Sequence, residues 1–348
     1  SIYSAFCALI ICFSSCQQAD QHDDQSAITT GQMPNLVTDV SQKVHLVYGN
    51  GDSLLHAVSS DNGATFSATE LIAVVPNLAA SHMRGPQIAT TPMGLSVIAC
   101  NDFGDIFSFA IDPSGKWVPS ARVNDMDTVA KENLLSLASD GTYVYAVWLD
   151  LRDRHNKIFG ARSDDGGRTW SKNMMIYTSP DSTVCECCRP SVAVKGDNVY
   201  VMFRNWIDGN RDMYLVTSSD KGSTFSYAQK LGKGSWPLEG CPMDGGGIAI
   251  TAEGNPETVW RRQESVYSCV PGQEEKKLGE GRDCTMESVN GKNVYAWVED
   301  GHVVVLKPGG KKETLGHGQQ PVIHAIDNEH IICAWEMDKK IFKSVIKL

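Results

Sequence analysis

Sulfur is the most distinctive chemistry in this chain of 348 residues, which carries 11 cysteines and 11 methionines. Cys185-Glu186-Cys187-Cys188 packs three thiols into four residues, and Cys241 and Cys284 follow, each with a methionine two positions on. Thiolates and thioethers favour copper(I) or zinc, and a tetrahedral site needs about four ligands. Cys185, Cys187, Cys188 and Cys241 could supply them, so a copper or zinc site is one reading. The same sulfurs suit disulfides in an oxidising compartment, with adjacent Cys187 and Cys188 reaching different partners such as Cys241 and Cys284. Buried free thiols are the third. A second chemistry comes from arginines and carboxylates. Arg84 lies in Met83-Arg84-Gly85-Pro86, Arg189 precedes Pro190, and Arg204, Asp102 and Glu132 are further candidates. A guanidinium fork suits bidentate recognition of a carboxylate, which points to an anionic ligand.

Residues so far apart need a fold that gathers them. Hydrophobic residues make up 42% of the chain and charged ones 21%, enough apolar side chain for a sizeable core. The net charge is 31 − 41 = −10 with no Lys/Arg block, which argues against nucleic acid or an anionic membrane surface as partner. Ala5 to Phe13 (AFCALIICF) is apolar but far shorter than the roughly 20 residues that span a bilayer. It reads as the hydrophobic part of a signal peptide occupying residues 1–16. Ser14-Ser15-Cys16 resembles the lipobox of bacterial lipoproteins, in which Cys16 would be acylated. Residues 17–30 are polar and acidic, suiting a tether whose end is available as a closing strand. The expected location is therefore extracytoplasmic, on a membrane facing the periplasm or on the cell surface, with contact to the membrane only through the Cys16 lipid.

The remainder, residues 31–348, reads as one repetitive domain. Ser59-Ser-Asp61-Asn-Gly63-Ala-Thr65-Phe66 recurs as Ser163-Asp-Asp165-Gly-Gly167-Arg-Thr169-Trp170 and as Ser218-Ser-Asp220-Lys-Gly222-Ser-Thr224-Phe225. A decayed copy starts at Asp112, so the aspartates stand at 61, 112, 165 and 220, with spacings of 51, 53 and 55. Such a period signals an array of supersecondary units. Within each octamer Asp can close its own tight turn, and Gly permits a backbone that a side chain would obstruct. Strands rich in β-branched and aromatic residues recur around Tyr48, Ala99, Trp148, Phe203, Trp260, Trp297 and Trp335, which counts seven units. Helical periodicity is absent.

The octamer resembles the Asp-box, or BNR repeat, of sialidases and related β-propellers. That resemblance implies an all-β propeller, seven-bladed by the strand count, with six as the alternative because sialidase-type propellers have six. Residues preceding each inner strand should then converge on one end of the central channel. Met83-Arg84-Gly85-Pro86 resembles the Arg-x-Pro motif that opens a sialidase blade, whose arginine is one of three binding the sugar carboxylate. The resemblance implies that role for Arg84, with Arg189 and Arg204 as partners. It puts the family's acid near Asp102, and Glu132 would supply a second carboxylate. The tripeptide is Arg-Gly-Pro rather than Arg-Ile-Pro, and Tyr267 and Tyr295 do not stand where that family carries its tyrosine nucleophile. Cys-Glu-Cys-Cys-Arg followed by Phe203-Arg204-Asn205 and Cys241-Pro242 resembles a bacterial subgroup of these propellers without established activity. Two functions follow as expectations. One is a carbohydrate-active or carbohydrate-binding propeller, an exo-glycosidase on acidic glycans if catalytic, needing no cofactor. The other is a non-catalytic propeller that binds a surface protein, or a soft metal on its Cys/Met face.

Overall fold

Alternating β-branched and aromatic runs, punctuated by Gly, Asn and Asp turns, form 28 strands in this computed structural model, which describes residues 27–348. Cys16, the signal-peptide reading and most of the tether lie outside the described residues. The strands make seven antiparallel four-stranded sheets, so the fold is a seven-bladed β-propeller and not the six-bladed alternative. Blades 1 to 6 span residues 32–74, 87–119, 135–177, 191–230, 246–280 and 282–317. Blade 7 takes three strands from residues 319–347 and its outermost from Thr29–Thr30, which pairs with Ile341 and Lys340. The ring is thus closed by hydrogen bonds between the two ends of the described chain.

The core lies between blades rather than within them. Seven separate hydrophobic clusters each join one adjacent pair, such as Val47, Ile88 and Val97 between blades 1 and 2, or Ile323, Trp335 and Val305 between blades 6 and 7. The second strand of six blades carries a large aromatic there: Tyr48, Trp148, Phe203, Trp260, Trp297 and Trp335, all at most 2% exposed. Burying one such indole contributes on the order of 4 kcal/mol.

The Asp-boxes are turns between third and fourth strands, and they lock blades together. In the first, Ser59 Oγ donates to Asp61 Oδ1 at 2.7 Å and accepts from Gly63 N at 2.8 Å. Asp61 also accepts from Thr65 N and Thr65 Oγ1. Identical bonds recur around Asp165 and Asp220. Asp112 keeps part of the pattern, accepting from Ser114 N and Lys116 N. The box glycine is doubly required. Gly222 has φ +78, and a Cβ on it would lie 2.1 Å from the Tyr145 ring of the preceding blade. Phe225 meets the same ring edge-on.

Two consequences are measurable. Gly222→Ala should destabilise the protein by about 3 kcal/mol through backbone strain and overpacking, read as a lower urea midpoint. The Asp220 carboxyl is held down to about 2 by hydrogen bonds from Ser218 and Thr224. A depressed carboxyl stabilises the fold above its unfolded pKa, near 4, and loses that effect as pH falls through about 2. Asp220→Ala should therefore lower the thermal midpoint at pH 7 and have progressively less effect between pH 4 and pH 2.

Candidate functional site

Inner strands Gln32–Thr38, Gln87–Thr91, Leu135–Ser139, Ser191–Lys195, Gly246–Ile250, Arg282–Val289 and Gln319–Ala325 touch their neighbours all round the channel. At six of their seven starts a residue other than glycine adopts left-handed backbone: Met33, Met83, Asn133, Met243, Asp283 and Gln320. In blades 1, 6 and 7 this coincides with a register shift in the inner ladder. Such bulges re-aim side chains and cost about 1–3 kcal/mol per residue, which the surrounding blades hold in place. The ring thereby turns polar side chains from different blades toward one mouth.

His82 ties this mouth together. Its Nε2 lies 3.0 Å from the Met243 carbonyl, its Nδ1 2.9 Å from Gln320 Nε2, and Arg282 Nη2 is 3.4 Å from Nε2. One side chain from blade 2's leading loop thus reaches blades 5, 6 and 7. Beneath it a cavity is lined by Met83, Arg189, Asp244, Asp283, Cys284 and Gln320. Arg189 is half-buried, and among the described residues its guanidinium makes no hydrogen bond or ion pair. Burial lowers its pKa and the charge of Asp283 opposes that. Asp244 is buried, and its carboxyl is pushed up to about 6, by burial first and then by Asp283. Asp244 Oδ2 accepts from Asp283 N at 3.0 Å, while Oδ1 of each aspartate has no hydrogen-bond partner among the described residues. The cavity thus combines one unpaired cation with two incompletely satisfied carboxyl groups.

Arg84, Glu132 and Arg189 all border the mouth. Arg84 Nε donates to the Glu132 carbonyl at 2.9 Å and Nη1 to the His82 carbonyl at 3.1 Å, which leaves its remaining donors open. Burial raises the Glu132 carboxyl above its ordinary range, Glu186 reinforcing this and Asn156 and Arg84 opposing it. Arg204 does not join them. It is 1% exposed, stacks 5.3 Å from the Trp236 ring and donates to the carbonyls of Arg211, Asp244 and Arg261. These bonds tie two loops to the second strand of blade 5, and the side chain is closed off from solvent, so the expected triad of Arg84, Arg189 and Arg204 is not assembled. Arg211, Arg261 and Arg262 are likewise engaged, with Cys185, Asp244 and Glu275. Asp102 sits exposed between the second and third strands of blade 2, accepts from Asn133 Nδ2 at 3.4 Å, and makes no hydrogen bond or ion pair with Arg84, Glu132 or Arg189 among the described residues. His82, Glu186, Asp244 and Asp283 were absent from the candidate set. All four stand within five residues of an inner strand or inside one, which is the signal that could have found them.

The sulfurs divide. Cys187 and Cys241 form a disulfide that ties the start of blade 4 to the loop leading into blade 5. Cys185 and Cys188 are buried thiols, their sulfurs 3.6 Å apart, and Cys185 Sγ is 3.7 Å from Cys187 Sγ. Arg211 Nη1 donates to Cys185 Sγ at 3.1 Å. The neighbouring Cys188 thiol, then Arg204 and Arg211, hold the Cys185 thiol down to about 6 against its burial. Although the sulfurs of Cys185, Cys187 and Cys188 lie within 4.8 Å of one another, the donor set does not fit copper or zinc. Bonded Cys187 and Cys241 have no thiolate to offer, and a guanidinium occupies the Cys185 sulfur. With that disulfide formed, Cys185, Cys187, Cys188 and Cys241 do not offer four thiolates together. Cys100, Cys269, Cys284 and Cys333 are buried free thiols.

Asp244 yields a stability test. It keeps a proton up to about pH 6 when folded but only to about pH 4 when unfolded, so its contribution to stability falls as pH rises through that window. Asp244→Asn should remove a loss on the order of 1–3 kcal/mol between pH 4 and pH 7, measured by urea unfolding at both. A variant with the parent's pH dependence would count against a protonated Asp244.

No curated protein matches the chain. Among solved structures, the α-L-arabinofuranosidase Arb93A of Fusarium graminearum aligns over 93% of this chain and 97% of its own, at 13% identity and a TM-score of 0.58. Virginiamycin B lyase of Staphylococcus aureus covers 92% and 96%, at 12% identity and 0.55. The fucose-specific lectin of Aleuria aurantia covers 84% and 98%, at 11% identity and 0.54. At these identities the likeness is one of fold. The family described as BNR repeat-like domain matches residues 17–238, 222 of the 348. With its Asp-boxes closing blade after blade, the chain belongs to the BNR repeat-like domain family.

Proposed function

We propose that the channel mouth is a carbohydrate site for the anionic end of a glycan, and that the protein is an exo-acting glycoside hydrolase outside the cytoplasm. The observation that carries this reading is Arg189, a half-buried guanidinium in a cavity, with no acceptor among the described residues. A charge removed from water calls for a counter-charge, and a ligand carboxylate or sulfate offers bidentate partners. Arg84, with donors to spare, would be the second contact. The raised carboxyl of Glu132 supplies a group that holds a proton for the leaving oxygen, and Glu186 beside it offers the second carboxyl that glycoside cleavage needs. Carbohydrate-acting and carbohydrate-binding propellers among the structural neighbours support a sugar as the ligand. The Cys187–Cys241 disulfide suits an oxidising compartment, as the lipoprotein reading of Cys16 requires.

A non-catalytic glycan-binding propeller is the second reading, favoured by the missing three-arginine clamp. Fluorogenic sialosides and uronides, assayed with the purified chain beside calorimetric binding of the free acids, separate the two. Under the hydrolase reading Glu132→Gln should cut kcat about 100-fold or more, with activity falling as pH rises past the Glu132 pKa. Arg189→Met should raise KM about tenfold. Binding without turnover would establish the second reading, and neither binding nor turnover would overturn both.

A further inference from the structure

The four sulfurs around the start of blade 4 are arranged for a reaction that glycan chemistry does not use. We propose that Cys185 is the nucleophile of an internal thiol–disulfide exchange centre that displaces Cys241 from Cys187. The Cys185 sulfur is already in van der Waals contact with the sulfur it would attack, at 3.7 Å, and both belong to one short turn. Arg211 donates directly to Cys185 and Arg204 lies near, so a thiolate there is stabilised where burial alone would suppress it. The leaving group differs in kind. Cys241 is on an exposed residue whereas Cys185, Cys187 and Cys188 are all buried, so the displaced thiolate emerges into water and takes its proton there.

The balance is closed. The Cys185 thiolate forms a bond to Cys187 Sγ, the Cys187–Cys241 bond breaks, and its electron pair leaves on Cys241. One disulfide is present before and after, so no oxidant or reductant is consumed. Cys188, 3.6 Å from Cys185, is within reach of a second exchange that would leave the Cys185–Cys188 pair bonded. Cys241 stands two residues before Met243, whose carbonyl faces His82, so the released thiol belongs to the loop bordering the channel mouth. The site would present that thiol to a partner carrying a disulfide, or to a small thiol reagent.

The test is alkylation of the intact, unreduced protein with a maleimide at pH 7.5, followed by disulfide mapping of its peptides by mass spectrometry. Alkylation removes Cys241 irreversibly and so draws the exchange forward. Cys241 should be labelled over time, with Cys185 recovered bonded to Cys187 or Cys188. Cys185→Ser should slow that labelling about tenfold or more and leave Cys187–Cys241 intact. Arg211→Met, which keeps every sulfur, should slow it as well. Equal labelling of Cys241 in the parent and both variants would overturn the proposal, as would no labelling in any of them. Four protected sulfurs holding one zinc or copper ion in the parent protein would overturn it too.

Discussion

Closure of the ring is the constraint on which everything else in this molecule rests. A twisted four-stranded sheet has two open edges and two faces to cover, and seven of them satisfy one another only when the last meets the first. Here the meeting point is small. Thr29–Thr30 pairs with the final strand, Ile28 N donates to the Ile341 carbonyl at 2.7 Å, and Leu36, Leu46 and Tyr48 of blade 1 pack on Ile332, Ala334 and Ile341 of blade 7. Because apolar burial is shared between blades, each blade stabilises its neighbours as much as itself. The Asp-box glycines Gly167 and Gly222 add to this by allowing turn backbone to press on the preceding blade where a Cβ would collide.

Closure also concentrates charge. Seven inner strands starting at one end of a narrow channel bring Arg189, Asp244, Asp283, His82 and Gln320 together from five blades or their leading loops. The protein organises this crowd in two ways. Arg204 and Arg261 surround Asp244 from behind, with Arg204 spending its donors on carbonyls, and so act as framework. Arg189 has no hydrogen-bond acceptor, and Oδ1 of Asp244 and of Asp283 is buried without a hydrogen bond, among the described residues. That asymmetry between satisfied and unsatisfied groups, rather than the number of charges, sets the mouth apart from the rest of the ring. The cysteine turn lies beside it because the same loops, those opening blades 4 and 5, carry both features.

Local features proved readable from residue order. The octamers at Asp61, Asp165 and Asp220 close through bonds spanning at most four residues, so their structure is written within eight letters. Alternation in segments such as VYAVWLD and NVYVMFR specifies strands in the same way, and counting them gives seven. The convergence of inner-strand starts followed from the fold and drew attention to Arg84, Glu132, Arg189 and the cysteines. The role of Arg204 did not follow. Its acceptors belong to residues 211, 244 and 261, and only packing against Trp236 decides that they, and not a ligand, receive its donors. Asp244 and Asp283 escaped attention because an aspartate in a loop or at a strand's start is ordinary until another blade buries it.

By itself the sequence determined the repeat, the turn chemistry and the strand count, since each depends on contacts between near neighbours in the chain. Only the tertiary structure decided which of the gathered groups are free. Whether Cys187 bonds Cys241 rather than a metal, whether an arginine is brace or anchor, and whether a carboxyl holds its proton all depend on partners tens to hundreds of residues away. Those partners are brought within bonding distance by ring closure alone.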